Sequence, residues 1–451
     1  MSNLIRNATN YALAFQATDI TSSQMRAAIT EWHDLYFQDK PDKVEDPCQR
    51  IPYTIVQKLT KTVFSEYAVD TQNDTFAAGV ADALSKRHTE AMQMALIGGE
   101  CKLKPIPEAD GFRFAVVPRH NILVFGRDSA GNMTDIGMAE QTVHQNCYFT
   151  LLERRTVDEK GYLTIRNRLY KSYNKENLGQ IVPLNSLPQY ADLQEEYTFA
   201  KPIGSVGLIS LKTPMVNCVD GSADCVSVYA AAVGLIHNIN RNEAQLNGEF
   251  ERGESRIVVS RDMLEKDAHG NPKLSDHVFV GLDEDQENIG VNIFSPALRD
   301  ASFLARKQEY LRNVENVIGL KRGLLSEVET AERTATEITS SAGEYNLTII
   351  DFQRMWEETI KEAMRLCGIL GQLYRVSGAH EIAEDAVSVD WGNGILYDEN
   401  KAWEDYKGMV ASGLLKPEIA LGWRFNMPTD TPEDLAAIRA KYMPEATEEV
   451  E

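Results

Sequence analysis

A chain of 451 residues, 43% hydrophobic and 25% charged, has room for two or three cores and is too apolar for wholesale disorder. Its formal charge of −21 excludes a protein that wraps nucleic acid through a dense basic surface, because neutralising phosphates takes clustered Lys and Arg. Residues 376–451 concentrate the imbalance, with 16 acidic against 6 basic side chains, a balance of −10.

In chain order, the first third reads as mixed. Ile55, Leu59 and Val63 recur at four-residue spacing and predict a helical face. VADALSKRHTEAMQMALIGG predicts one further helix closed by glycines. HNILVFGRDSAGNMTDIGMAEQ and YFTLLERRTVDEKGYLTIRNRLYKSY each predict two strands around a turn, the second turn at Asp158–Gly161. From Cys225 the pattern becomes helical: Cys225, Val228, Ala232, Ile236, Ile239, Leu246 and Phe250 share a stripe whose one polar member is Glu243. About 40 residues of short β-type runs follow. A helix then opens at Pro296, carrying Leu304, Leu311, Val314 and Ile318.

GLKRGLLSEVETAERTATEITSSAGEY, beginning at Gly319, holds a polar connection of about 15 residues where helix–helix links usually take about 2–8. Gly319 suits a helix stop, and Thr334-Ala335-Thr336-Glu337 matches a capping box, so both ends are pinned and the chain between them is expected to be a free polar finger. Ile338, Ala342, Tyr345, Ile349, Phe352, Trp356, Ile360, Ala363, Cys367 and Leu370 then predict a helix of about 35 residues, about 50 Å long. Gly343 inside it is a candidate kink. A strand-like AVSVDWGNGILY and two or three acidic amphipathic helices from near Lys401 complete the chain.

Reactive chemistry is sparse. No GxxxxGK[ST] accompanies the Gly204-Ser205-Val206-Gly207 turn, no GxSxG elbow occurs, and His380-Glu381 is followed at position 384 by Glu where a zinc helix needs His. Asp283-Glu284-Asp285-Gln286-Glu287 lacks the order of a calcium loop and reads as an acidic surface. No catalytic, cofactor-binding or metal residue is assigned. Six scattered cysteines without a CxxC fit free thiols in a reducing cytoplasm. Neither a signal peptide nor a membrane span is expected: Val226–Ile236, the most apolar run, is short of the roughly 20 residues a span needs.

Arg333-Thr334-Ala335-Thr336-Glu337-Ile338, the Tyr148–Tyr173 strand pair with Leu152, Glu153 and Arg154, Ile395-Leu396-Tyr397-Asp398 and Gly413-Leu414-Leu415 together carry a resemblance. In this order the chain resembles portal proteins of tailed bacteriophages, in the branch typical of siphophages of Gram-positive bacteria. The resemblance implies an α+β portal fold: wing at 1–224, stem helices at 225–251 and 297–318, a β-rich clip at 252–296, a tunnel loop at 319–334, a long helix and wing strand at 335–396, and an acidic helical crown at 397–451. It implies a non-enzymatic, cofactor-free ring, a dodecamer at one capsid vertex of the virion, made in the host bacterial cytoplasm. Double-stranded DNA would pass through without sequence-specific binding. Partners would be the terminase large subunit, the head–tail adaptor, and the major capsid and scaffolding proteins, with no membrane.

The same resemblance makes Lys321, Arg322, Glu327, Glu329, Glu332 and Arg333 the channel-loop candidates, a set of mixed sign suited to fleeting contacts. Thr334, Ala335, Thr336 and Glu337 are the helix-cap signature, and Asp276, Asp283, Glu284, Asp285 and Glu287 the candidate clip docking surface. The rivals are another ring-forming head–tail adaptor, usually a much shorter chain, and a packaging-motor enzyme, disfavoured by the missing Walker lysine.

Overall fold

The computed structural model describes residues 4–5, 8–37, 47–253, 256–260, 279–282, 292–294, 298–327, 335–383, 386–392, 399–425, 427–429 and 431–443. The chain divides into two units, one of residues 1–63 and 70–388, the other of 64–69 and 389–451.

The first unit opens with α1 (Ala8–Phe15), α2 (Ser23–Phe37) and α3 (Ile51–Val63). Ile55, Leu59 and Val63 of α3 are all buried, as their spacing predicts. β1 (Ala68–Asp70) precedes α4 (Thr75–Ser85) and α5 (His88–Gly98). The single helix expected over 80–99 is thus two. Arg87, at φ −121° and ψ −5°, breaks the helical path, and its amide donates to Leu84 O rather than one residue earlier. Asp74 caps α4 by accepting from the amides of Phe76 (2.9 Å) and Ala77 (3.1 Å).

β2 (Glu100–Glu108) and β3 (Gly111–Pro118) form a hairpin extended by β10 (Ile209–Lys212), giving the antiparallel order β10-β2-β3. A second sheet is a meander of β4 (Ile122–Arg127), β5 (Met133–His144), β6 (Cys147–Val157), β7 (Leu163–Ser172) and β8 (Gln180–Val182), with β9 (Glu196–Thr198) also on β7. The two turns expected from sequence share one chemistry. Asp128 Oδ1 accepts from Ala130 and Asn132 N, and Asp158 Oδ1 from Lys160 and Tyr162 N, with Gly131 and Gly161 at φ +82° and +84°. Gln145 and Asn146, both at positive φ, make the two-residue β5–β6 hairpin loop. One face of this sheet packs Cys147, Phe149, Leu151 and Leu169 under Leu184, Leu187 and Tyr190.

α6 (Val233–Arg252) and α7 (Asp300–Ile318) bracket three short strands, β11 (Arg256–Ser260), β12 (Phe279–Leu282) and β13 (Asn292–Phe294). β11 lies centrally, parallel to β12 and antiparallel to β13. α8 (Ala335–Tyr374) runs 40 residues and continues through Gly343. Ile349, Phe352, Trp356, Ile360, Ala363, Cys367 and Leu370 are each at most 4% exposed, so the second half of α8 is the central post of this unit. It also shields a sheet edge: Ser210 of β10 donates its amide to Glu362 (2.8 Å), and its carbonyl accepts from Thr359 Oγ1 (3.0 Å).

In the second unit β1 pairs with β14 (Ser388–Asp390), and Trp391 packs on Phe64 and Tyr67. Three helices follow, α9 (Glu399–Ala411), α10 (Pro417–Arg424) and α11 (Pro432–Tyr442). Tyr406 stacks on Trp423, and a Thr431–Asp434 capping box starts α11.

Candidate functional site

The site is built on the helix pair α6–α7. Residues Cys225–Tyr229, expected to begin the first of these helices, are not helical. Val228 N and Ser227 Oγ donate to Leu96 O (3.0 and 2.9 Å), and Val226 O accepts from Thr213 Oγ1 (2.7 Å). These groups are spent on Leu96 at the end of α5 and on Thr213 just after β10, and Gly99 lets that strip approach, so the helix starts at Val233. The helices run antiparallel: Glu249 meets Arg299 (2.8 Å) and Glu243 meets Lys307 (2.8 Å), while Asn242 Nδ2 donates to Phe303 O (3.0 Å). Glu243, the polar member of an apolar stripe, is therefore a paired group. Ile236, Ile239 and Leu246 of the stripe are buried and Phe250 is half-exposed.

α7 ends at Gly319, in the left-handed region at φ +76°, as its stop role predicts. Thr348 of α8 donates its hydroxyl to Gly319 O at 3.2 Å. The connection beyond is not free over residues 320–327. Leu320 N donates back to Glu315 O (2.8 Å). Ser326 gives both its amide (2.9 Å) and its hydroxyl (2.7 Å) to the Glu315 carboxylate, and the Leu325 amide reaches the same group. Lys58 of α3 donates to Leu324 O, and Glu327 N donates to Gln308 Oε1 (2.8 Å). The first half of the finger is thus fastened to its own subunit.

Of the channel-loop candidates, Lys321, Arg322 and Glu327 are exposed on this segment. Glu329, Glu332 and Arg333 lie outside the described residues, as does Thr334. α8 begins at Ala335, which puts Ala335, Thr336 and Glu337 in its first turn. Asp276, Asp283, Glu284, Asp285 and Glu287 of the candidate docking surface also lie outside the described residues.

Several charged groups are buried in the scaffold, and of these the sequence singles out only Glu153. Lys104 and Arg155 flank Glu153; burial works to raise its carboxyl, and the two cations outweigh that and take it down to about 2. Glu100 sits beside Lys102, and Asp224 between Arg119 and Arg127. Burial pushes the Cys225 thiol up to about 11. Glu100, Lys102, Arg127 and Cys225 line one polar pocket, where the carboxylate and both cations are ion-paired and the thiol is deactivated by burial. Among the described residues no group of three or more His, Cys, Asp or Glu is placed to hold a metal ion, and no helix is long and apolar enough to cross a membrane.

No curated protein matches this chain. Solved structures do. A chain of the "Virion of native gene transfer agent (GTA) particle" is 12% identical with a TM-score of 0.44, over 95% of this chain and 99% of that one. A chain of the "Neck of native GTA particle computed with C12 symmetry" is 10% identical with a TM-score of 0.45, over 92% of this chain and 97% of that one. The family model described as "Phage portal protein, SPP1 Gp6-like" matches residues 66–443, which span β1, α4, α5, both sheets, the helix pair, the connection and α8 through α11. With most of its length covered by that match, this chain belongs to the SPP1 Gp6-like family of phage portal proteins.

Proposed function

We propose that the chain is the subunit of a portal ring through which double-stranded DNA enters and leaves a phage-type capsid. One observation carries the reading: the portal family match runs over residues 66–443, including the whole series of helix, β module, helix, connection and long helix. On this reading α6 and α7 are the stem and β11–β13 the clip, which docks the terminase large subunit and later the head–tail adaptor. Residues 1–224 with α8 form the wing against the major capsid and scaffolding proteins, and α9–α11 the crown. The 319–334 connection faces the channel, and the ring is a dodecamer.

Electrostatics supports a conduit. A charge of −21 repeated around a ring keeps a duplex off the walls, and isolated basic side chains then make contacts too few to hold it. The role asks for no reaction at the protein, so it is structural.

Negative-stain microscopy of the purified full chain tests the proposal. Rings with a central hole, twelvefold in axial views, are expected; a strictly monomeric protein at high concentration overturns it. A nucleotide-hydrolysis assay separates it from a packaging motor, because robust turnover by this chain alone contradicts a passive conduit.

A further inference from the structure

We infer that the buried Glu315 carboxylate is a positioning group that locks residues 320–327 into a rigid basic knuckle, whose Lys321 and Arg322 meet a phosphodiester backbone. Glu315 is 1% exposed, on the last turn of α7, and receives three donors from the loop: the amides of Leu325 and Ser326 and the Ser326 hydroxyl. Hydrogen bonds to a charged acceptor are the strong kind, and breaking them here would leave a carboxylate out of water with nothing to replace its partners. Lys58 of α3 and Gln308 of α7 hold the same stretch, and Thr348 of α8 holds Gly319 just ahead of it.

The latch also shapes what it presents. Leu324 N donates to Lys321 O at 3.0 Å, closing a turn with Gly323 in third place at φ +91°, the conformation a type II turn demands there. Lys321 and Arg322 stand exposed on that turn, and neither is in an ion pair among the described residues. A positioned turn pays less ordering entropy on contact than a free finger would. Two cations per copy, in a chain of −21, allow weak and salt-sensitive phosphate contacts.

The latch stands on geometry alone; its consequence for DNA rests on the portal reading. The test is hydrogen exchange and trypsin cleavage after Lys321 and Arg322 on the full chain in its native assembly. Glu315→Ala is expected to speed exchange at Leu325 and Ser326, and cleavage at the turn, about tenfold or more, with the Ile349–Leu370 amides unchanged. Unchanged rates at the turn overturn the latch. Should Glu315→Ala not fold, Ser326→Ala, which deletes only the hydroxyl bond, is expected to give a smaller acceleration confined to the same peptide, and no acceleration is again a refutation. In the second arm, K321A/R322A is expected to keep the wild-type exchange pattern while reducing the salt dependence of binding to a short duplex DNA. An unaltered salt slope removes the phosphate contact. Absence of rings would count against the portal reading, whereas the exchange data judge the latch in either case.

Discussion

Arg119 and Arg127 share one carboxylate oxygen: their Nη2 atoms lie 3.0 and 2.6 Å from Asp224 Oδ1. Arg119 is 1% exposed and also reaches Ile122 O (2.8 Å) and Thr21 Oγ1 (3.2 Å), so this cluster ties the segment ahead of α6 to β4 and to the start of α2. Removing one partner of a buried pair strands the other charge. Asp224→Ala should therefore cost about 3–5 kcal/mol in urea unfolding of the full chain. A loss below about 1 kcal/mol would mean that Arg119 is compensated elsewhere.

Gly99 ends α5 at φ +84°, and a Cβ there would lie 2.4 Å from the Cys225 carbonyl carbon and oxygen. Both the backbone conformation and the contact require glycine. Gly99→Ala should lose about 1–3 kcal/mol from the conformation alone and more from displacing residues 225–228. Thermal unfolding measures it, and an unaltered midpoint would contradict the close packing of this strip on α5.

Trp356 is fully buried in the middle of α8. Trp356→Ala should destabilise the first unit by about 3–5 kcal/mol, because a close-packed interior collapses only partly into the cavity left behind. Lys361→Ala, on the exposed side of the same helix, should stay within about 0.5 kcal/mol and serves as its control.

Glu153 has its carboxyl held at about 2, below the ordinary 4.5, by Arg155 and Lys104 against the opposing effect of burial. Its contribution is fully present above pH 4.5 and is lost as pH falls toward 2, where the folded state must also take up the proton. Glu153→Gln should lower stability at neutral pH and flatten the fall between pH 4.5 and 2. Denaturant titrations across that range check it; an acid limb parallel to wild type would place the pH dependence on other carboxyls.

The parts of the site that were legible in the sequence are those decided locally. Gly319 closes α7, the turns at Asp128 and Asp158 form where Asp and Gly punctuate the strands, and Lys321 and Arg322 are exposed on the polar connection. Glu315 gave no such signal. It stands next to the apolar stripe of Leu311, Val314 and Ile318, where a charged residue ordinarily meets solvent, and its donors arrive 10 and 11 residues later through a loop whose path no periodicity encodes. α6 starts at Val233 rather than at Cys225 for a related reason. Cys225 and Val228 keep a helical spacing, yet the backbone between them is claimed by α5, more than 100 residues earlier, with Leu96 O bound 131 positions from Ser227.

By itself the sequence determined the long helix, its buried stripe and the β module set between two helices, because a 3.6-residue period and turn-forming residues act over a few neighbours at a time. Tertiary structure alone decided which charges pair. Arg119 finds Asp224 across 105 positions, Lys104 finds Glu153 across 49, and the opening of the connection after α7 folds onto Glu315. A carboxylate is satisfied by whichever donors the packed chain brings within about 3 Å, and that neighbourhood exists only once the helices and sheets have been placed.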